Sequence, residues 1–337
     1  MKIGILTFHN ADNYGAVLQC YALQEKLKTL HTKDEVYIVD YKCPKIVNAY
    51  IPKINLKKPW SILGYIKTKK KCKQFHQFRE KYFNLGTDNL SFYDVIYYGS
   101  DQIWSPSLTG YDFTYFGKGF SGKKIAYAAS DGGNMILTDE IKNELNSFAA
   151  ISCREASLTN KLSPNNLSTP TSTICDPVFL LSKDEWLKMA KLPQEKNYVL
   201  TYKIRENLNF DSEAEKIGRL LGKKVIQIVY VKQLRKLFYH GQHFVEGISP
   251  EQFVGYFAKA DFVLTTSFHG TAFSIIFNKP FYVLKIDNAS ERITDLLTAL
   301  NIEDRYGEEY QDSKTSICGF EAYRAKGIDY LNNNELT

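Results

Sequence analysis

The run Thr265-Thr266-Ser267-Phe268-His269-Gly270-Thr271-Ala272-Phe273-Ser274 sets a hydroxyl, an imidazole and a glycine where an apolar strand-like stretch gives way to a helical pattern. A helix start offers unpaired N–H groups and the positive end of the backbone dipole, so Ser267, Gly270 and Thr271 are expected to cradle a phosphate or carboxylate. Gly270 would let that ligand approach the backbone closely. His269 would then give or take a proton beside the bound anion. The same pattern also describes a plain capped helix whose histidine is hydrogen-bonded in a domain interface.

A second group is Gly99-Ser100-Asp101-Gln102-Ile103-Trp104. Asp101 is a short carboxylate able to orient or deprotonate a sugar hydroxyl, Gln102 is a neutral hydrogen-bonding partner, and Trp104 offers a flat face to a sugar ring. The competing reading is a capping Asp with a core Trp. A third is Asp12-Asn13-Tyr14-Gly15-Ala16, which either hydrogen-bonds an acceptor or caps the helix behind it. Arg154, Lys203 and Arg205 each follow a strand and are the cations suited to an anionic donor; the alternative for each is a salt-bridge partner.

These residues need elements to position them. Ile3 to Phe8 reads as a strand, Ala16 to Leu30 as an amphipathic helix and Val36 to Val39 as a second strand, a βαβ order that predicts a parallel sheet. Ligands bind such sheets at the C-terminal ends of the strands, where all three groups fall. Strands at 94–98, 124–129 and 173–175 extend the pattern, which restarts with strands at 198–202, 224–229, 262–266 and 281–284. Ser249 and Pro250 mark a helix start, and helices close the chain near 290–300 and 318–331. The expected fold is α/β, with two Rossmann-like domains facing across a cleft in a GT-B-like manner. The division is placed at residues 1–180, an acceptor side with a basic insertion at 41–83, and 181–337, a donor side with the closing C-terminal helix.

The chain has 337 residues, enough for two such units, and is 44% apolar, which excludes wholesale disorder. Its six cysteines form no CxxC pair, so they read as free thiols in a reducing compartment and no metal site is expected. Dinucleotide, phosphate-loop, nucleophile-elbow and zinc-helix motifs are absent, and no cofactor is expected. The N-terminus lacks a signal-peptide core, and no run reaches the ~20 apolar residues of a membrane span. A cytoplasmic protein follows, with any membrane contact confined to its surface.

Taken together, the motifs resemble the polysaccharide pyruvyl transferase family. The resemblance runs from Asn13-Tyr14-Gly15-Ala16 through Gly99-Ser100-Asp101-Gln102-Ile103-Trp104, Tyr127-Ala128-Ala129-Ser130, Ser152-Cys153-Arg154-Glu155, Asp176-Pro177-Val178 and Ala260-Asp261 to Ser267–Ser274. It implies a GT-B-like transferase of bacterial surface-glycan synthesis (capsule or exopolysaccharide). It also implies transfer of the enolpyruvyl group of phosphoenolpyruvate, a co-substrate, to a sugar as a cyclic ketal. On that reading His269 is the acid or the proton donor on the phosphate side, Asp101 the base or acceptor-orienting group, and Arg154, Lys203, Arg205, Ser267, Gly270 and Thr271 bind the donor. Asp12, Asn13, Tyr14, Gln102 and Trp104 bind the acceptor. A nucleotide-sugar glycosyltransferase and a non-catalytic glycan-binding protein are the alternatives; for the latter, His269, Arg154 and Arg205 need not converge.

The net charge of +6 conceals an asymmetry. Tyr41 to Arg79 holds ten Lys, one Arg and no acid, which leaves −5 on the rest. No nucleic-acid motif accompanies it. A solvated helix face is one reading; the other is an anionic membrane surface carrying an acceptor on a lipid diphosphate, bound through residues such as Lys67, Lys69, Lys70 and Lys71.

Overall fold

The computed structural model describes residues 1–51, 61–163, 166–204, 207, 209–229, 242–286, 291–313 and 316–334; for 61–64 and 67 only the helix course is described. Arg205 therefore lies outside the described residues, as do Lys53, Lys57 and Lys58.

Two six-stranded parallel sheets carry the fold. The first has the order β2-β1-β3-β4-β5-β6, with β1 Lys2–Leu6, β2 Glu35–Ile38, β3 Val95–Tyr98, β4 Lys123–Ala129, β5 Ala150–Cys153 and β6 Thr171–Thr173. The second has the order β12-β11-β10-β7-β8-β9, with β7 Tyr198–Lys203, β8 Lys224–Val229, β9 Gln242–Glu246, β10 Phe262–Thr265, β11 Phe281–Leu284 and β12 Tyr306–Gly307. The central strands are buried on both faces, as helix-covered parallel sheets require. This is the expected pair of Rossmann-like units in a GT-B-like arrangement.

The helices are α1 Tyr14–Leu30, α2 Pro44–Tyr50, α3 Ser61–Tyr82, α4 Pro106–Thr109, α5 Asp139–Leu145, α6 Ala156–Lys161, α7 Lys183–Met189, α8 Phe210–Leu221, α9 Pro250–Lys259, α10 Phe268–Ile276, α11 Glu291–Ala299 and α12 Phe320–Asn333. Local chemistry sets several starts. Asn13 caps α1, its side chain accepting from the Ala16 N–H at 3.3 Å. Ser249 and Gln252 close a capping box on α9, with Pro250 in the first turn. Ser182 and Glu185 cap α7 in the same way, and its Trp186 is wholly buried.

Two elements depart from expectation. Helix α12, assigned by sequence to the second half, returns to the first sheet. Its Tyr330 hydroxyl donates to the Ala126 carbonyl at 2.9 Å, and Leu331 joins Ile3, Leu23 and Ile125 in one apolar cluster. Helix α3 carries the apolar face that Phe75, Phe78 and Phe83 lead one to expect of a helix over 62–83, but that face reaches further than a contact within the first half. Its Phe75 and Phe78 are fully buried in a cluster with Tyr14 and Leu18 of α1, Trp186 of α7, and Tyr202, Phe253 and Phe273 of the second sheet's layer. Lys71 lies along that inward face, its Nζ 5.3 Å from the Phe75 ring centre, and burial pushes its pKa down to about 8. Lys69, Lys70 and Lys73 are exposed.

Candidate active site

The C-terminal ends of the two sheets face one cavity of about 530 Å³. The start of α1 contributes its cap Asn13 and Gly15, the turn after β3 contributes Asp101 and Gln102, and α2 contributes Lys45, Ile46 and Tyr50. From the second half come Ser267, Phe268 and His269 at the start of α10, with Arg292 and Ile293 of α11.

His269 sits in the first turn of α10, with its side chain 13% exposed. Its imidazole lies directly over Gly15, where any side chain would overlap Nδ1 and Cε1. That contact explains a glycine inside a helix turn, where the backbone cost is otherwise unrewarded. Nε2 faces Asp176 Oδ2 at 3.8 Å and makes no hydrogen bond. Burial lowers the His269 pKa; the Asp176 and Asp101 carboxylates oppose that, and the Arg154 and Arg292 guanidiniums reinforce it.

Arg154 and Asp176 form the buried floor. Arg154 Nη1 donates to Asp176 Oδ2 at 2.8 Å and Nε to Glu155 Oε1 at 3.3 Å. Burial works to lower the Arg154 pKa, but Glu155 and Asp176 hold it above its ordinary value. Glu155 in turn accepts from the Ser130 hydroxyl at 2.8 Å. Arg154 thus converges with His269 through a shared carboxylate while standing behind the cavity wall.

Arg292 is on the wall itself, which Lys45 of α2 also lines. Its guanidinium stands 6.0 Å over the Phe268 ring and 3.8 Å from Glu155 Oε1. In the amide orientation that satisfies both groups, Gln102 Oε1 accepts from Arg292 Nη2 at 2.9 Å and Nη1 at 3.2 Å. Burial, with the Arg154 charge next, pulls the Arg292 pKa down to about 10. Asp101 reaches the cavity from a backbone at φ 73°; its carbonyl is pinned by the Ser130 N–H at 3.1 Å and its Oδ1 accepts from the Gln102 N–H at 2.8 Å.

Several candidates stand elsewhere. Trp104 offers no face to a sugar: it is fully buried, stacked on Phe116, and donates its indole N–H to the Tyr115 carbonyl at 2.9 Å. Tyr14 is 1% exposed, stacked 4.4 Å from Phe253, and its hydroxyl donates to the Ile248 carbonyl at 3.1 Å. Asp12 is turned to Arg79 at 2.9 Å, tying α3 to the first loop. Lys203 is buried against Asp211 at 2.9 Å. Thr271 is fully buried, its hydroxyl donating to the Ser267 carbonyl at 3.0 Å. Gly270 is a glycine because a side chain there would strike Thr265 of β10, not to admit a ligand; its N–H donates to the capping Ser267 Oγ at 3.4 Å. Asn13 and Ser267 both cap a helix and line the cavity.

Sequence reasoning passed over Arg292, Asp176 as a site residue, and α2. Only the Asp-Pro pair at 176–177 carried a signal. Here Asp176 caps the turn Pro177–Leu180, its Oδ1 accepting from the Val178 N–H at 3.0 Å.

Comparison with known families decides the class. The family model described as polysaccharide pyruvyl transferase matches residues 13–288. The chain belongs to the polysaccharide pyruvyl transferase family. It is therefore a transferase, and the matched span takes in Asn13, Asp101, Arg154, Asp176 and His269 while stopping short of Arg292. No protein of curated function matches the chain in sequence. Among solved structures, the chain is similar to the MnaA–UDP co-structure from S. aureus (13% identity, 98% of this chain and 88% of that one, TM-score 0.52). It also aligns with UDP-GlcNAc 2-epimerase from Neisseria meningitidis bound to UDP-GlcNAc (13%, 98% and 100%, TM-score 0.47). At such identities the likeness is one of fold.

Proposed function

We propose that this member of the family moves the enolpyruvyl carbons of phosphoenolpyruvate onto two hydroxyls of a surface-glycan sugar. The methylene carbon takes a proton and becomes a methyl group. One sugar oxygen bonds to the central carbon, its proton passing to a base; the bond to the phosphate oxygen breaks and inorganic phosphate leaves. A second hydroxyl then bonds to the same carbon, its proton passing to the departing phosphate, and the ketal is closed. The observation that carries this reading is the meeting of His269, Arg292 and Asp101 around one cavity at the start of α10.

In this scheme Arg292 and the α10 N-terminus hold the donor's acidic groups, Arg292 taking the place that the sequence suggested for Lys203. A bound polyanion raises the pKa of the buried imidazole, so His269 takes up its proton with the donor and passes it on. Asp101, on the acceptor side, orients or deprotonates the attacking hydroxyl. The α2 wall of Lys45, Ile46 and Tyr50 is mixed apolar and cationic, which suits a sugar carried on a diphosphate. Incubation with phosphoenolpyruvate and a panel of soluble and lipid-linked sugars should release phosphate and add ~70 Da to one acceptor, pyruvic acid less water. Release of a nucleoside diphosphate from a sugar nucleotide, without phosphate release, overturns the proposal, as does glycan binding without turnover.

The exposed lysines of α3 are assigned to an anionic membrane surface where such an acceptor is presented. Among the described residues, no helix is long and apolar enough to cross a membrane. Because Lys71 packs inward, the informative variant is Lys69→Gln with Lys70→Gln and Lys73→Gln. Sedimentation with phosphatidylserine vesicles should weaken roughly a hundredfold in this variant and fall with added salt. Equal sedimentation of variant and parent returns the patch to a solvated helix face.

A further inference from the structure

Asp176 is fully buried at the boundary between the two halves, and its two oxygens are used differently. Oδ1 accepts from the Val178 N–H at 3.0 Å. Oδ2 takes Arg154 Nη1 at 2.8 Å and the Ser100 hydroxyl at 3.4 Å, and it faces His269 Nε2 at 3.8 Å. The opposite edge of the imidazole, Nδ1 and Cε1, lies over Gly15, itself a cavity-lining residue.

We infer that Asp176 is a positioning residue for His269: its carboxylate keeps a proton on Nε2, which leaves Nδ1 as the nitrogen that exchanges a proton with a ligand in the cavity. A neutral imidazole carries one N–H, and the nitrogen facing a buried carboxylate is the one that holds it. The inference deepens the pyruvyl-transfer reading and rests on it for the identity of the ligand. Four charged groups bear on the ring: Asp176 before the turn Pro177–Leu180, Arg154 after β5, Asp101 after β3 and Arg292 on α11. Glu155 offsets part of the two arginines' charge from behind, 3.3 Å from Arg154 and 3.8 Å from Arg292. With Asp176 made neutral, two guanidiniums face the imidazole against Asp101 alone, so its pKa falls further.

The test uses the full chain with ring-¹⁵N histidine; one of the six histidines is identified by its loss in His269→Gln. The parent should show the Nε2–H tautomer for His269 at alkaline pH. Asp176→Asn should lower the His269 pKa by about one unit, and the alkaline limb of kcat/KM for ketal formation should move to lower pH by the same amount. A merely structural Asp176 would move stability and leave tautomer and limb in place. An Nδ1–H tautomer in the parent overturns the inference whether or not the variant folds, as does an unchanged His269 titration in folded Asp176→Asn. If no sugar accepts a pyruvyl group, the ring measurement still decides the Asp176–His269 relation, and only the pyruvyl-transfer reading fails.

Discussion

His269→Ala should abolish ketal formation, by a thousandfold or more, while the chain stays folded. A positioned acid contributes ~10²–10⁴ in rate, and the α10 donors alone cannot protonate carbon. The structural cost is small, because Nε2 makes no hydrogen bond and the side chain sits at the cavity wall. The unfolding midpoint should therefore shift by only a few degrees. Discontinuous phosphate release with a mass-resolved product is the measurement. Turnover near that of the parent, with the fold intact, removes His269 from the chemistry.

Arg292→Met has a different signature. If Arg292 holds the donor through a bidentate pair, as proposed, KM for phosphoenolpyruvate should rise about a hundredfold or more, with a smaller change in kcat. The sign of the pH effect opposes that of Asp176→Asn. Arg292 holds the His269 pKa down, so its removal raises that pKa and extends the alkaline limb to higher pH. Stability should move the favourable way. The folded state depresses the Arg292 pKa from 12.5 to about 10, so below pH ~10 the buried charge is a burden on folding that methionine lifts. An equal or higher unfolding midpoint at pH 7 with weaker donor binding is the expected pair of results. A fall in stability together with an unchanged KM would make Arg292 a structural ion-pair partner of Glu155.

Much of this molecule is written locally in its chain. The strand–loop–helix order, the Asn13 and Ser249 caps and the placing of His269 at a helix start depend on residues within a few positions of each other, and they stand in the structure where the pattern put them. The direction in which a side chain points is not local. Tyr14 opens α1 and Trp104 follows the turn after β3, yet each turns into an aromatic partner, Phe253 of α9 and Phe116, and only those distant or neighbouring partners decide that. Arg292 begins a helix with no distinctive neighbours, and its relation to Gln102 spans the two halves. Strands β9 and β12 escaped notice because edge strands need little of the alternating apolar pattern. The lysines of 41–79 were legible as a charge, but the inward stripe of Phe75 and Phe78 changes what that charge is attached to.

The aromatic cluster joining Tyr14, Phe75, Trp186 and Phe253 bears on how a ligand is met. An interface this apolar resists the free swinging that two loosely joined domains ordinarily allow. Gly15 of α1 and the His269 ring of α10 touch across the cavity, so that contact does not have to be made when a substrate arrives. A ligand then loses its own freedom on binding but need not immobilise the protein's as well, and affinity gains accordingly.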